Sequence, residues 1–142
     1  MWTDGSTVKK KSTHSTGDCG IGVVIVGMDN QKVEYLFGEY IGVSTNNYAE
    51  FFAIQRALEV LLERQHDFQI SSIEIATDSK IAAEILVGNY KTDKPHLLKV
   101  VKNVRRLERK LGVKVDYFWV AGHSGVELNE LADLLAYTTA RG

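Results

Sequence analysis

The spacing of apolar and polar residues predicts two strands in the first third of the chain. Residues 20–27 form a β-branched run bounded by glycine, which is typical of a buried strand. Residues 33–41 alternate between apolar and polar side chains, so they predict a second strand. Residues 28–31 lie between these runs and predict a hairpin turn.

From Asn46 or Asn47, each a suitable N-cap, the spacing becomes that of a helix running to about Arg64. Residues 72–77 alternate again and predict a strand that ends at Asp78. The later predicted elements are a helix over 79–86 closed by Gly88, a helix over 96–111 opened by Pro95, a strand over 113–120 and a helix over 127–139. With a first strand near Asp4, this order predicts a layered α/β fold with a mixed sheet.

Composition places the chain among ordinary globular domains. With 142 residues, 44% hydrophobic and 25% charged, we expect one domain over residues 1–142 and a monomer. No apolar run approaches the roughly 18 residues that a membrane span needs, so no membrane partner is expected. The single cysteine, Cys19, cannot form an internal disulfide, which favours a reducing, cytoplasmic location.

The net charge of −1 conceals a strong segregation of basic residues. Nine of the 17 Lys and Arg residues fall between Lys91 and Lys114, and Lys9, Lys10 and Lys11 form a second basic group. A protein that holds a polyanion beside an acidic site needs such segregation. A helix face that is merely solvated explains charge runs more often than not, and charge alone leaves both interpretations open.

Four carboxylates lie at edges of predicted elements, and they are Asp4, Glu50, Asp78 and Asp133. Each has a simple alternative explanation: a turn at Asp4-Gly5, a first-turn acid at Glu50, an N-cap at Asp78, and an exposed acid at Asp133. Their conjunction is harder to explain, because convergent acids repel one another unless divalent cations neutralise them. Paired Mg²⁺ ions on carboxylates hydrolyse phosphodiesters, so the hypothesis is a two-metal nuclease.

His123 follows the last predicted strand in a glycine-flanked loop. A single loop histidine is usually inert, but this one lies ten residues before Asp133, and histidine is the side chain whose ordinary pKa lies closest to neutral pH. It is therefore a candidate proton shuttle. Trp2, Trp119 and Cys19 are interpreted as packing residues without a catalytic part.

The motifs in their order resemble the type 1 ribonuclease H family over nearly the whole chain. They are Thr-Asp-Gly-Ser at 3–6, Thr-Asn-Asn-Tyr-Ala-Glu at 45–50, Thr-Asp-Ser at 77–79, and Gly-His-Ser-Gly at 122–125 followed by Asn129 and Asp133. The resemblance implies a ribonuclease H-like fold with a five-stranded mixed sheet flanked by helices. It also implies Mg²⁺-dependent endonucleolytic cleavage of the RNA strand in RNA·DNA hybrids, which leaves 5′-phosphate and 3′-hydroxyl ends.

The resemblance further implies a role for each acid. Asp4 would bridge two Mg²⁺ ions (with Mn²⁺ a possible substitute), and Glu50 and Asp78 would hold the ion at the leaving oxygen. Asp133 would hold the ion that activates water, and His123 would assist proton transfer or product release. The positions that match substrate contacts in the family are Gly5, Ser6, Thr45, Asn46, Asn47 and Lys80.

The chain also departs from the family pattern. Residues 7–18, with three lysines, are expected to form a loop in place of the usual compact turn. The segment 88–95 is too short for the extra basic helix that many bacterial relatives carry, which indicates the protrusion-less subtype. Few residues precede Asp4, so we expect a short central strand and no separate hybrid-binding domain.

Two other functions remain open from the sequence. One is another nuclease of the wider ribonuclease H-like group, such as a transposase, integrase or junction resolvase. Those proteins share acidic metal sites but usually lack the Asn-Asn-x-Ala-Glu helix opening and the Gly-His-Ser-Gly loop. The other is a non-catalytic hybrid-binding domain, which the retention of four mutually repelling acids argues against.

Overall fold

Five strands and four helices follow one another in the order that the apolar pattern predicts. The computed structural model describes residues 1–10, 13–27, 32–121 and 127–142. Its elements are β1 (Trp2–Lys10), β2 (Thr13–Val26), β3 (Val33–Thr45), α1 (Asn46–Glu63), β4 (Ser72–Thr77), α2 (Lys80–Val87), α3 (Pro95–Leu111), β5 (Lys114–Trp119) and α4 (Glu127–Ala140). The predicted turn at 28–31 and the loop that carries His123 lie outside the described residues.

The strands form one mixed sheet in the order β3-β2-β1-β4-β5. β1 pairs antiparallel with β2, and β2 pairs antiparallel with β3, whereas β1-β4 and β4-β5 are parallel. The predicted five-stranded mixed sheet is therefore confirmed. The central strand is short on its parallel side, where only Trp2 and Thr3 pair with β4.

The prediction of a loop over residues 7–18 is wrong. β1 continues to Lys10, and β2 begins at Thr13. Thr7 pairs with Cys19 and Val8 pairs with Asp18. Residues 13–16 are Thr, His, Ser and Thr, and β-branched residues such as Thr suit a strand. The β1-β2 ribbon therefore extends beyond the parallel part of the sheet.

The N-caps of two helices differ from the prediction by one residue each. Thr45, rather than Asn46 or Asn47, caps α1, and its hydroxyl accepts a hydrogen bond from the Tyr48 amide at 3.1 Å. Ser79, rather than Asp78, caps α2 through a hydrogen bond from the Ala82 amide at 3.1 Å. Because Ser79 supplies the cap, the Asp78 carboxylate is not needed at the helix end.

The segment between α2 and α3 contains no helix, as the short spacing predicted. Gly88 and Gly112 end these two helices in the left-handed conformation, with φ of 100° and 68°. No described helix has the length and apolarity that crossing a bilayer requires.

The two faces of the sheet are packed differently. On one face, α1 and α3 cover a cluster that includes Phe51, Ile54, Ile75 and Val104. On the other face, α4 lies directly on glycines of β2 and β3, where a Cβ at Gly22 would come within 2.1 Å of the Ala132 carbonyl oxygen. The missing side chains let α4 approach the sheet closely. This approach carries Asp133 toward the central strand.

We expect Gly22→Ala to lower the free energy of unfolding by about 3 kcal/mol, because the new methyl group must displace the α4 backbone. Thermal or urea unfolding measures the loss. Ser72→Ala, an exposed change of similar size on β4, serves as the control and is expected to have little effect. Equal stability of both variants would contradict the close packing of α4.

Candidate active site

Adjacent parallel strands bring the first two acids together. Thr3 of β1 pairs with Thr77 of β4, so the next residues, Asp4 and Asp78, stand beside each other. Asp4 is only 3% exposed, whereas Asp78 is half-buried at the carboxyl end of its strand. Open α/β sheets place their sites at such strand ends.

Glu50 reaches the same place from the first turns of α1. It is 3% exposed, and its Oε1 accepts a hydrogen bond of 2.6 Å from the Gly5 amide. A Cβ at Gly5 would lie 2.6 Å from the Ala49 carbonyl carbon, so only glycine permits this approach of α1 to β1. Gly5 matches a substrate contact in the family, and here its amide donates to the Glu50 carboxylate.

The structure brings all four predicted acids together. Ligand oxygens of Asp4, Glu50 and Asp78 lie within 4.8 Å of one another. Asp133, half-buried on α4, joins this group through a hydrogen-bonding contact with Asp4. Asp4 comes from β1, Glu50 from α1, Asp133 from α4, and Asp78 from the residues between β4 and α2.

Burial and mutual repulsion raise the pKa values of the two innermost acids. The pKa of Asp4 is raised far above its usual value, first by burial and then by the charge of Glu50, with hydrogen bonds to Glu50 and Asp133 and the charge of Asp78 adding to the shift. Burial also raises the pKa of Glu50 well above its usual value. Hydrogen bonds from Asp4 and Gly5 oppose that rise, and the Asp78 charge adds to it. At neutral pH the site therefore favours a bound proton or a bound cation.

The donor set fits a divalent cation. Oxygen is the ligand atom of all four side chains, and hard cations such as Mg²⁺ prefer oxygen. The Oε2 atom of Glu50 is buried without a hydrogen-bond partner among the described residues, which suits a ligand atom. None of the ion pairs found in the described ranges involves these acids, so no basic side chain there neutralises them.

The remaining predicted site residues are placed around this group or outside the described part. Ser6 and Asn47 are half-buried, Asn46 and Lys80 are exposed, and Thr45 caps α1. His123 belongs to the residues that the structure does not describe. Its predicted participation therefore stays a prediction.

The sequence interpretation overlooked Trp119 as a neighbour of the site. Its indole Nε1 donates to the main-chain carbonyl of Asp78 at 3.2 Å, and its ring lies 5.6 Å from the Lys80 ammonium. The one hint in the sequence that Trp119 lies near the site was its position at the end of a predicted strand. The sequence did not show which other strand lies next to that end.

Comparison with known proteins identifies the family. Residues 1–141 match the family described as RNase H. The chain is 34% identical to ribonuclease HI of Halobacterium salinarum, over 88% of this chain and 58% of that protein. It is 31% identical to ribonuclease H of Citrobacter koseri, over 99% of this chain and 87% of that protein.

Solved structures show the same fold. RNase H1 from Halobacterium salinarum superposes with a TM-score of 0.79 at 28% identity, covering 99% of this chain and 95% of that one. LC11-RNase H1 in complex with an RNA/DNA hybrid superposes with a TM-score of 0.83 at 26% identity, covering 99% and 94%. The fold and the acidic site define a nuclease of the ribonuclease H-like class. Within that class the chain belongs to the RNase H family, in agreement with the type 1 resemblance.

Without divalent metal, the free energy of unfolding is expected to fall as the pH rises above about 4. The folded pKa values of Asp4 and Glu50 exceed their unfolded values, so the folded state binds more protons. That stabilisation is complete below the unfolded pKa and is lost as the pH rises toward the folded values. Thermal unfolding in EDTA between pH 5 and pH 8 measures how steeply the free energy of unfolding falls with pH. Glu50→Gln should make this fall less steep, whereas the exposed control Asp93→Asn should leave it unchanged. An unchanged pH dependence in Glu50→Gln would contradict the raised pKa of Glu50.

Asp78→Asn is expected to raise the metal-free stability by on the order of 1–3 kcal/mol, because it removes a charge that repels Asp4 and Glu50. The same variant should lose most of the rise in melting temperature that Mg²⁺ gives the parent protein. Melting curves with Mg²⁺ and with EDTA measure both effects. A variant that Mg²⁺ stabilises as strongly as the parent would remove Asp78 from the metal site.

Proposed function

We propose that this protein is an endoribonuclease that hydrolyses the RNA strand of RNA·DNA hybrids. The proposal includes two bound Mg²⁺ ions, with Mn²⁺ as a substitute, and products with 5′-phosphate and 3′-hydroxyl ends. The observation that carries it is the group of four carboxylates around Asp4, three of which have ligand oxygens within 4.8 Å. The hybrid-bound structure of a family relative supports the substrate class.

Glu50 and Asp78 belong to one group with Asp4, and Asp133 contacts Asp4 from α4. Asp4 would contribute to holding both ions, while the Gly5 amide holds Oε1 of Glu50 and leaves Oε2 for a ligand. When bound, two ions lower the pKa of an attacking water and stabilise the departing 3′ oxygen. His123 is proposed to carry the proton or to assist product release.

Substrate selection is assigned to the polar residues beside the acids. Ser6 offers a hydroxyl on β1, and Thr45, Asn46 and Asn47 offer hydroxyl, amide and main-chain groups at the start of α1. Small polar groups allow a ribose 2′-hydroxyl to approach, which distinguishes RNA from DNA. Gly5 contributes indirectly, because it fixes Glu50 and the α1 terminus against β1.

Among the basic groups, the first half of α3 is the better candidate for holding the duplex. Its Lys99 lines a cavity with Tyr48 and His96, whose rings are 6.3 Å apart, and this cavity adjoins the start of α1. Arg105 has a structural task instead, since it donates to the Leu86 carbonyl at 2.6 Å and pairs with Glu108. The basic residues between Lys91 and Lys114 therefore include exposed cations and one cation, Arg105, that stabilises the fold.

The buried, free Cys19 is compatible with the cytoplasmic location that the sequence predicted, and a monomer remains our expectation.

The proposal is tested by one assay on labelled RNA·DNA, RNA·RNA and DNA·DNA duplexes with Mg²⁺ or EDTA. We expect cleavage of the RNA strand of the hybrid alone, abolished by EDTA and lowered by at least about 10³-fold in Asp78→Asn. His123→Ala should slow turnover and leave residual activity. Cleavage of the DNA duplex would favour a transposase-like or resolvase-like function, and hybrid binding without cleavage would favour a non-catalytic domain.

The salt dependence of hybrid binding in EDTA tests the basic surface. Each phosphate contact contributes about 0.9 to the slope of log K against log salt for duplex DNA, so Lys99→Gln should lower that slope by a comparable amount. The matched control is Lys110→Gln, because Lys110 lies about 16 Å farther along α3 than Lys99. Equal slopes in the parent and Lys99→Gln would remove this end of α3 from the interface.

A further inference from the structure

Trp119 occupies an unusual position for a large aromatic side chain. It ends β5, where it pairs with Thr77 at the end of β4, and half of its surface (50%) is exposed. Its indole N–H donates to the Asp78 carbonyl. Core packing does not require that hydrogen bond, and it links Trp119 directly to the residue that supplies one of the site carboxylates.

The segment from Thr77 to Lys80 is also held by other hydrogen bonds, one of them from the Val120 amide to the Thr77 carbonyl at 2.9 Å. The Ser79 amide donates to the Thr77 hydroxyl at 3.1 Å, and the Ser79 hydroxyl accepts from Ala82 in α2. These hydrogen bonds hold Ser79 and the start of α2. The Asp78 peptide carbonyl is outside this set, and it accepts a hydrogen bond from the indole of Trp119.

The ring of Trp119 makes a second contact. Lys80, the first residue of α2, places its ammonium 5.6 Å from the ring centroid, within the range of a cation–π interaction. Lysine has a long and flexible side chain, so an aromatic surface beside it restricts where its charge lies. One side chain therefore contacts both Asp78 and an exposed cation two residues further along the chain.

We propose that Trp119 is a positioning residue that orients the Asp78 carboxylate for metal binding and holds the Lys80 ammonium toward the substrate phosphates. This inference depends on the proposed function for the identity of the substrate. It depends on the four acids around the site for the binding of metal. The two contacts are separable, because the indole N–H serves Asp78 and the ring face serves Lys80.

The contact with Asp78 is tested by Trp119→Phe, which keeps an aromatic ring and removes the N–H. We expect the Mg²⁺ concentration needed for a fixed rise in melting temperature to increase by about two- to tenfold, the usual effect of one lost hydrogen bond. Hybrid affinity in EDTA should stay within about twofold of the parent. An unchanged Mg²⁺ requirement would overturn this half of the proposal.

The contact with Lys80 is tested by a double-mutant cycle on hybrid affinity in EDTA. Lys80→Met is expected to weaken binding about two- to fivefold in the parent and to have a clearly smaller effect in the Trp119→Leu background. Equal effects of Lys80→Met in both backgrounds would overturn this half. Steady-state kinetics should agree, with KM raised by Lys80→Met and kcat lowered by Trp119→Phe.

Phe118→Leu is the matched control, because Phe118 precedes Trp119 on the same strand, is 48% exposed and points to the opposite face of the sheet. It should change neither the Mg²⁺ requirement nor the hybrid affinity. A purely structural role for Trp119 would lower the melting temperature without changing the Mg²⁺ requirement, and that result would also overturn the proposal. The melting measurements need no cleavage, so failure of the parent to cut the hybrid refutes the proposed function separately.

Discussion

The close approach of buried carboxylates is the constraint on which the rest of the site depends. Asp4 and Glu50 are nearly inaccessible to water, and Asp78 adds a third charge within 4.8 Å. Such a group is unfavourable unless protons or cations compensate it. The Gly5 amide provides partial compensation through its hydrogen bond to Glu50. The arrangement is therefore selective for a ligand that brings positive charge.

The fold sustains this repulsion because its elements cannot easily move apart. Gly5 lets α1 rest on β1, and Gly22 lets α4 rest on β2, each at a distance that excludes a side chain. The apolar cluster beneath α1 and α3 packs against the same face of the sheet as α1. Close backbone packing at the site and side-chain packing in the core thus have different tasks: the first sets the positions of the acids, and the second supplies the stability that opposes their repulsion.

Features that depend on one segment alone were predictable from the sequence, whereas features that depend on a neighbouring segment were not. The helical face of α1 and the left-handed glycines at 88 and 112 follow from local spacing and backbone preference. The strand over residues 7–10 did not, because its hydrogen bonds come from the paired part of β2. Trp119 was interpreted as a packing residue for the same reason, since its partner Asp78 belongs to another strand.

The sequence by itself determined the order of the elements, the mixed α/β class and the identity of the four acids, because residue type and periodicity are local properties. Only the tertiary structure decided that Asp4 lies at the centre of the group, that Asp133 joins it through Asp4, and that Thr45 and Ser79 take the capping positions. Those outcomes depend on strand register and on the distance between packed backbones. Register and distance arise from contacts between residues far apart in the chain, and no single stretch of sequence encodes them.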